Sequence, residues 1–238
     1  MNPPFGSSPA LAVLASGAGS TLHALAQACA SGLLPARITL VICNNRDAGA
    51  LRIAQDMGLP HLHLSGQTHP DRPQVTAAHD QTDAAPQPIH PDGAPGEALD
   101  LAMLQALQQS GAHLVVLAGY MKKVGPWVLA AFQGRIINTH PALLPLFGGH
   151  GMYGMRVHEA VLAAGERVTG PTIHHVTADY DEGGILAQTQ VPVQPDDTPH
   201  SLAARVQAAE KTLLIQTLQN LVGAIEHDPA TASQPAGA

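Results

Sequence analysis

Asn138 and His140 stand two residues apart in the stretch Ile136-Ile-Asn-Thr-His140-Pro141. On a strand, residues i and i+2 share a face, so an amide donor and an imidazole would project together. Such a pair can stabilise a developing oxyanion and move a proton. Read alone, the same two side chains could equally satisfy the backbone of a loop. Asp181 falls in Tyr180-Asp-Glu-Gly-Gly184, a composition that makes turns. A carboxylate brought beside His140 would hold the imidazole's orientation and its positive charge. A third group is Gly17-Ala-Gly19-Ser20-Thr21. Glycines ahead of a helix let the backbone approach an anion, and the helix start offers free N–H groups. A tight turn with no ligand is the plainer reading of those glycines. His174 and His175 are neighbours on an extended stretch and point to opposite faces, so they cannot chelate together, and no metal is expected.

The elements that would position these groups follow from the apolar pattern. Ala10–Ser16, Ile38–Cys43, His61–Leu64, Leu114–Leu117 and Arg135–Thr139 read as strands, mostly continuous apolar runs. Helical stretches separate them at Leu22–Cys29, from Asp47 as cap to Met57, at Glu97–Leu107 and around Trp127–Phe132. Alternation of this kind implies a parallel sheet covered on both faces. Ligands of such sheets sit outside the carboxyl ends of the strands, where Gly19 and His140 both fall. Beyond Thr139 come a Pro/Gly-rich loop at 141–154, a short helix at Val157–Ala164 and a long one from Pro199 to Glu226. Pro171–Thr177 and Ile185–Val191 have no helix between them and read as an antiparallel edge pair. The expected fold is therefore α/β, an open, Rossmann-like, mostly parallel sheet with that pair near the C-terminus.

Of 238 residues, 45% are hydrophobic, 12% charged and only 3% aromatic. That excludes a disordered acidic chain and calls for a core of Leu, Val, Ile and Ala. A net charge of −7, with three lysines and eight arginines, argues against a nucleic-acid surface. Two cysteines make no disulfide framework, and no apolar run approaches the ~20 residues of a membrane helix. With no basic leader, a cytoplasmic setting is expected. Residues 65–96 are Pro-rich and lack any period, so they read as an insertion or flexible loop, dispensable between 73 and 88. One domain is expected over 1–228, with a disordered tail at 229–238. The dinucleotide fingerprint would need a third glycine where Leu22 stands, and a P-loop would need a Gly-Lys-Ser/Thr that is absent.

Taken together, Ser16-Gly-Ala-Gly-Ser-Thr21, Leu114-Val-Val-Leu-Ala-Gly-Tyr-Met121, Asn138-Thr-His-Pro-Ala-Leu-Leu-Pro145, Gly148-Gly-His-Gly-Met-Tyr-Gly154, Val157-His-Glu-Ala160, Tyr180–Gln188 and Arg205–Glu210 resemble the phosphoribosylglycinamide formyltransferases of purine synthesis. The resemblance covers nearly the whole chain except 65–96 and the tail. It implies Asn138, His140 and Asp181 as the catalytic trio. It implies that Gly19, Ser20 and Thr21 hold the phosphate of the ribonucleotide substrate, with Gln207 and Glu210 at that substrate's other end. Leu117, Met121, Lys122, Lys123, Val124 and Val176, with Asn138 and Asp181, would line the pocket for 10-formyltetrahydrofolate. It also implies a cis bond before Pro145 and a histidine, His174, near the site. The partners would be these small molecules, with no nucleic acid and no membrane, in a monomer or homodimer. The alternatives within the same chemistry are a formyltetrahydrofolate deformylase, which would bring an extra domain ahead of Ala10, or another formyltetrahydrofolate-using transferase, such as one acting on methionyl-tRNA, which would need a basic second domain. The family often has Asn where Thr21 stands, and an arginine that meets folate in some members falls within 65–96.

Overall fold

The computed structural model describes residues 8–70 and 96–227. The expected loop from 71 to 95, including its dispensable part, and the tail at 229–238 lie outside the described residues. Strands β1 (Ala10–Ala15), β2 (Arg37–Cys43), β3 (His61–His63), β4 (Leu114–Leu117), β5 (Ile136–His140), β7 (Thr172–His175) and β8 (Ile185–Gln188) form a seven-stranded sheet. Its order is β3-β2-β1-β4-β5-β7-β8. The first five strands are parallel, and β7 and β8 add antiparallel pairings at one edge. Both features follow the sequence reading. Two-residue strands β6 (Val168–Thr169) and β9 (Val191–Pro192) form a second, small sheet. Runs that short carry no period, and the sequence reading passed over them.

The central strand β1 is buried along its whole length and serves two cores by simple alternation. Leu11 and Val13 pack with Leu22 and Leu25 of α1 (Ser20–Ala30) and with Leu214, Leu218 and Val222 of α6 (Pro199–His227). Ala12 and Leu14 face the opposite side, toward Met103 and Leu107 of α3 (Glu97–Gln109) and Val128 of α4 (Pro126–Ala131). Each fully buried Leu contributes roughly 1.5–3 kcal/mol, so aliphatic residues suffice without aromatics. A third cluster joins Val161 of α5 (Met155–Ala163) to Leu202 and Val206 of α6, which fixes the inner face of α6.

Helix α2 (Gly49–Asp56) corrects one expectation. Its N-cap is Ala48, not Asp47. The Asp47 N–H donates to Asn45 Oδ1 at 3.1 Å, so the turn forms one step earlier. The Ala50 N–H donates to Gly17 O at 3.1 Å, which ties the start of α2 to the glycine loop after β1 without a side-chain cap.

The loop between β4 and α4 is held from beneath by Asp100 of α3. This carboxylate is buried and accepts from the Trp127 N–H at 2.8 Å and the Val128 N–H at 3.3 Å. Burial pushes its pKa up, and the two N–H groups pull it back. Gly125 lies against it so closely that a Cβ there would meet the Asp100 carboxylate at 2.1–2.4 Å. Gly125→Ala is expected to displace the cap and cost roughly 1–3 kcal/mol, the range for an orphaned buried polar group. A urea unfolding midpoint equal to that of wild type would contradict this.

Candidate active site

The carboxyl ends of β1, β4 and β5 open onto a cleft of about 550 Å³. Its wall includes Gly19, Ser20 and Thr21, Met121 and Lys122, Asn138 and His140, Asp181, and Gln207 and Glu210. Four loops and three helices far apart in sequence thus meet where an open α/β sheet binds its ligands. Gly151, Tyr153, Arg156, His158 and Tyr180 also face the cleft. Tyr180 lies in the loop from Val176 to Asp181 expected at the folate pocket, and its place on the cleft wall agrees with that. The other four had no role of their own in the sequence reading: Gly151, Tyr153 and His158 sit inside motifs recognised as wholes, and the residue types alone gave no signal.

On the glycine side, Gly19 is the N-cap of α1 with φ +82°, a left-handed conformation natural to glycine. A Cβ would also meet Ala50 Cα at 2.6 Å. No side chain caps α1, so its first N–H groups stay open toward the cleft. Ser16 Oγ accepts from the Met121 N–H at 2.7 Å, and the Ser16 N–H donates to Gly119 O at 3.2 Å. The loops after β1 and β4 are thereby locked together.

Across the sheet, antiparallel pairing sets Asn138 opposite His174 and His140 opposite Thr172. His174 Nδ1 lies 2.8 Å from His175 O and must donate there, so in the neutral ring Nε2 is an acceptor. Asn138 Nδ2 is 3.1 Å from that Nε2 and donates to it. The assignment agrees with the lowered pKa of His174, caused first by burial. The Asn138 amide is therefore oriented by a histidine held in one tautomer.

His140 is buried, with Nε2 2.8 Å from Phe147 O and Nδ1 3.4 Å from Asp181 Oδ2. Both ring nitrogens face acceptors, and only the imidazolium satisfies both. Asp181 Oδ2 also accepts from the Gly149 N–H at 2.9 Å, and Oδ1 stands 3.6 Å from His174 Nε2. Asp181 has φ +59°, an uncommon backbone state for a non-glycine residue, as active-site turns often show. The loop between β5 and α5 is pinned by Thr172. Its Oγ1 donates to Ala142 O at 2.6 Å and accepts from the Leu144 N–H at 3.0 Å. The Leu144–Pro145 peptide bond is cis, as the resemblance implied.

Not every expected residue reaches the cleft wall. Leu117 and Val124 are buried in the core on the α3/α4 side, and Val176 packs against that core. They are apolar groups at strand and loop ends, and the core takes them. Lys123 is not on the wall itself but lies against it: its Nζ sits 5.1 Å from the centre of the ring of Tyr180, a wall residue, which has His150 edge-on at 5.9 Å. Among the described residues no cluster of three or more His, Cys, Asp or Glu has the disposition of a metal site.

Glu210 is buried on α6, 3.4 Å from Thr21 Oγ1. Burial pushes its pKa up, opposed by hydrogen bonds from Thr139 and Thr21. A carboxyl with a raised folded pKa holds its proton more tightly when folded, so stability falls as pH rises through the interval between unfolded and folded values. Glu210→Gln is therefore expected to be more stable than wild type at pH 8 and equal to it near pH 4. Urea midpoints at the two pH values check this, and a less stable Gln variant at pH 8 would refute it.

The formyl transferase family model matches residues 10–218. The phosphoribosylglycinamide formyltransferase of Mycobacterium tuberculosis is 38% identical over 217 residues, covering 90% of this chain and 86% of that protein. The chloroplastic phosphoribosylglycinamide formyltransferase of Arabidopsis thaliana is also 38% identical, over 90% of this chain. This chain spans 64% of the Arabidopsis protein's length and 60% of that of its Vigna unguiculata counterpart. Glycinamide ribonucleotide transformylase 1 of Symbiobacterium toebii superposes with a TM-score of 0.77 at 33% identity, over 94% of this chain and 92% of that one. The match runs from β1 into α6 and takes in the glycine loop, the Asn138–His140 strand end and Asp181, so the chain belongs to the formyl transferase family.

Proposed function

We propose that this chain transfers a formyl group from 10-formyltetrahydrofolate to the amine of 5-phosphoribosylglycinamide, a step of purine synthesis. The observation that carries the reading is the convergence of Asn138, His140 and Asp181 on one cleft with an anion cradle at Gly19–Thr21. The names of the relatives above supply the acceptor and the formyl transfer, and the family resemblance supplies the folate donor.

In this reading the phosphate rests on the N–H groups at the start of α1 and on Ser20 and Thr21, where the helix dipole favours negative charge. Gln207 and Glu210, the latter hydrogen-bonded to Thr21, face the ribonucleotide beside the cradle rather than at its far end. Met121 and Lys122, with Lys123 beside them, flank the folate. Leu117, Val124 and Val176 support that wall from the core. The amine attacks the formyl carbon; the new C–N bond forms as the bond from that carbon to the folate nitrogen breaks. Charge gathers on the formyl oxygen in between. Asn138, aimed by His174, and His140, charged beside Asp181, donate to that oxygen. For this, the Nε2 proton of His140 exchanges Phe147 O for the substrate. His140 gives its Nε2 proton to the departing folate nitrogen, and the amine proton then replaces it on the ring, directly or through a water.

A deformylase would use the same donors with water as the nucleophile. The formyltetrahydrofolate deformylase of Pseudomonas syringae shares the fold at 21% identity. The built cradle at Gly19, useless to water, favours the ribonucleotide. Release of tetrahydrofolate, followed by absorbance with and without the ribonucleotide, tests the choice. Release at equal rates without it would sink the transferase reading.

His140→Ala should lower kcat by roughly two to three orders of magnitude, since it removes both donor and relay. Asn138→Ala should cost a similar amount. Asp181→Asn should also be impaired. The double variant His140→Ala/Asp181→Asn should be within about threefold of His140→Ala, because residues acting as a unit are not additive. Steady-state kinetics on the four proteins decide it, and fully multiplicative losses would give Asp181 a separate task.

A further inference from the structure

His158 stands in the first turns of α5, 2% exposed, and is one of the residues lining the cleft. Its Nδ1 is buried with no hydrogen-bond partner among the described residues. Buried polar atoms without partners are rare because each gives up its bonds to water and gains nothing in return. Burial, and after it the nearby His140, push the His158 pKa down, so the ring is neutral near pH 7. The placement is also informative. Val161, one turn along α5, packs on Leu202 and Val206 of α6, and α6 carries Gln207 and Glu210 into the same cleft. His158 therefore lies on the wall that runs from His140 to these two residues. A neutral imidazole there suits a hydroxyl or an amide, and it adds no charge to a wall that already holds His140.

We propose that His158 is a further substrate-contacting residue, its Nδ1 partnered by a sugar hydroxyl or the amide of the phosphoribosyl-amide. The assignment rests on the ribonucleotide reading above and names a specificity contact within it. It separates His158 from the catalytic trio: its loss acts on ribonucleotide binding, and the chemical step proceeds.

The experiment compares wild type with His158→Phe, which keeps the ring's bulk without its nitrogens, and His158→Gln, which keeps a polar end. Titration calorimetry with 5-phosphoribosylglycinamide alone, at pH 7.5, measures binding. Steady-state kinetics give KM for each substrate and kcat. The Phe variant should bind the ribonucleotide about tenfold more weakly and show a matching rise in its KM. Its KM for formyl folate and its kcat should stay within threefold of wild type. Its melting temperature without ligand should be equal or higher, because an unpaired polar atom has left the interior. The Gln variant should recover part of the affinity, a rescue that a purely structural role would not give. Ribonucleotide binding by the Phe variant within twofold of wild type would overturn the proposal and leave an ordered water as the partner of Nδ1. If the Phe variant does not fold, the Gln variant decides: unchanged KM values for both substrates with a lowered melting temperature would overturn it. A wild type that neither binds nor formylates the ribonucleotide would overturn the functional reading and this contact with it. A wild type that does both, beside an unaffected Phe variant, would overturn this contact alone.

Discussion

Because β7 runs antiparallel to β5, residues from two distant stretches face each other in register at the carboxyl end of the sheet. Asn138 meets His174, and His140 meets Thr172. A parallel neighbour would bring its own carboxyl end to the mouth, as β4 does with Leu117 beside Asn138; the antiparallel β7 brings its first residues instead, Thr172 beside His140 and His174 beside Asn138. From the far end of β7 the connection to β8 folds back until Asp181 reaches His140 and the Gly149 N–H. The histidine that orients the Asn138 amide and the threonine that pins the loop after β5 both depend on this one change of strand direction.

The two histidines next to Asp181 are kept in different states by their second partners. His174 gives its Nδ1 proton to a carbonyl and uses Nε2 to accept from Asn138. Desolvation holds the ring neutral in that role. His140 has an acceptor at each nitrogen. Each ring thus spends one nitrogen on a backbone carbonyl, and what differs is the other nitrogen, which in His174 accepts from Asn138 and in His140 faces Asp181. Charging His174 would cancel its lone pair and release the Asn138 amide. Burial that disfavours that charge therefore also protects the oxyanion donor.

Much of this was legible in the chain. The apolar runs Ala10–Ser16 and Leu114–Leu117 could only be buried strands, and the absence of a helical stretch between His175 and Ile185 marked an antiparallel edge. The two-residue offset of Asn138 and His140 placed them on one face. What could not be read were contacts made by closeness in space. Asp47 carried the residue type of a helix cap, yet Asn45 and the Gly17 carbonyl took over the turn. Leu117 and Val124 were assigned to a ligand pocket by resemblance, and the core claimed them because nothing in an apolar residue's type says which side of a wall it serves. His158 lay within a motif that was recognised whole, and its unpartnered nitrogen is visible only once α5 is packed on α6.

The proposed reading also says how a chain so poor in charge would hold an anionic substrate. Positive potential would come from the uncapped start of α1 rather than from a cluster of lysines. Backbone N–H groups need no side-chain entropy to be fixed and no counter-ion to be kept soluble. The cost is close packing: Gly19 must touch Ala50, with α2 tethered to Gly17, for the cradle to hold its shape. On the proposed reading a glycine loop pressed against a second helix takes the part that basic side chains play elsewhere, and a net charge of −7 is compatible with binding a phosphate.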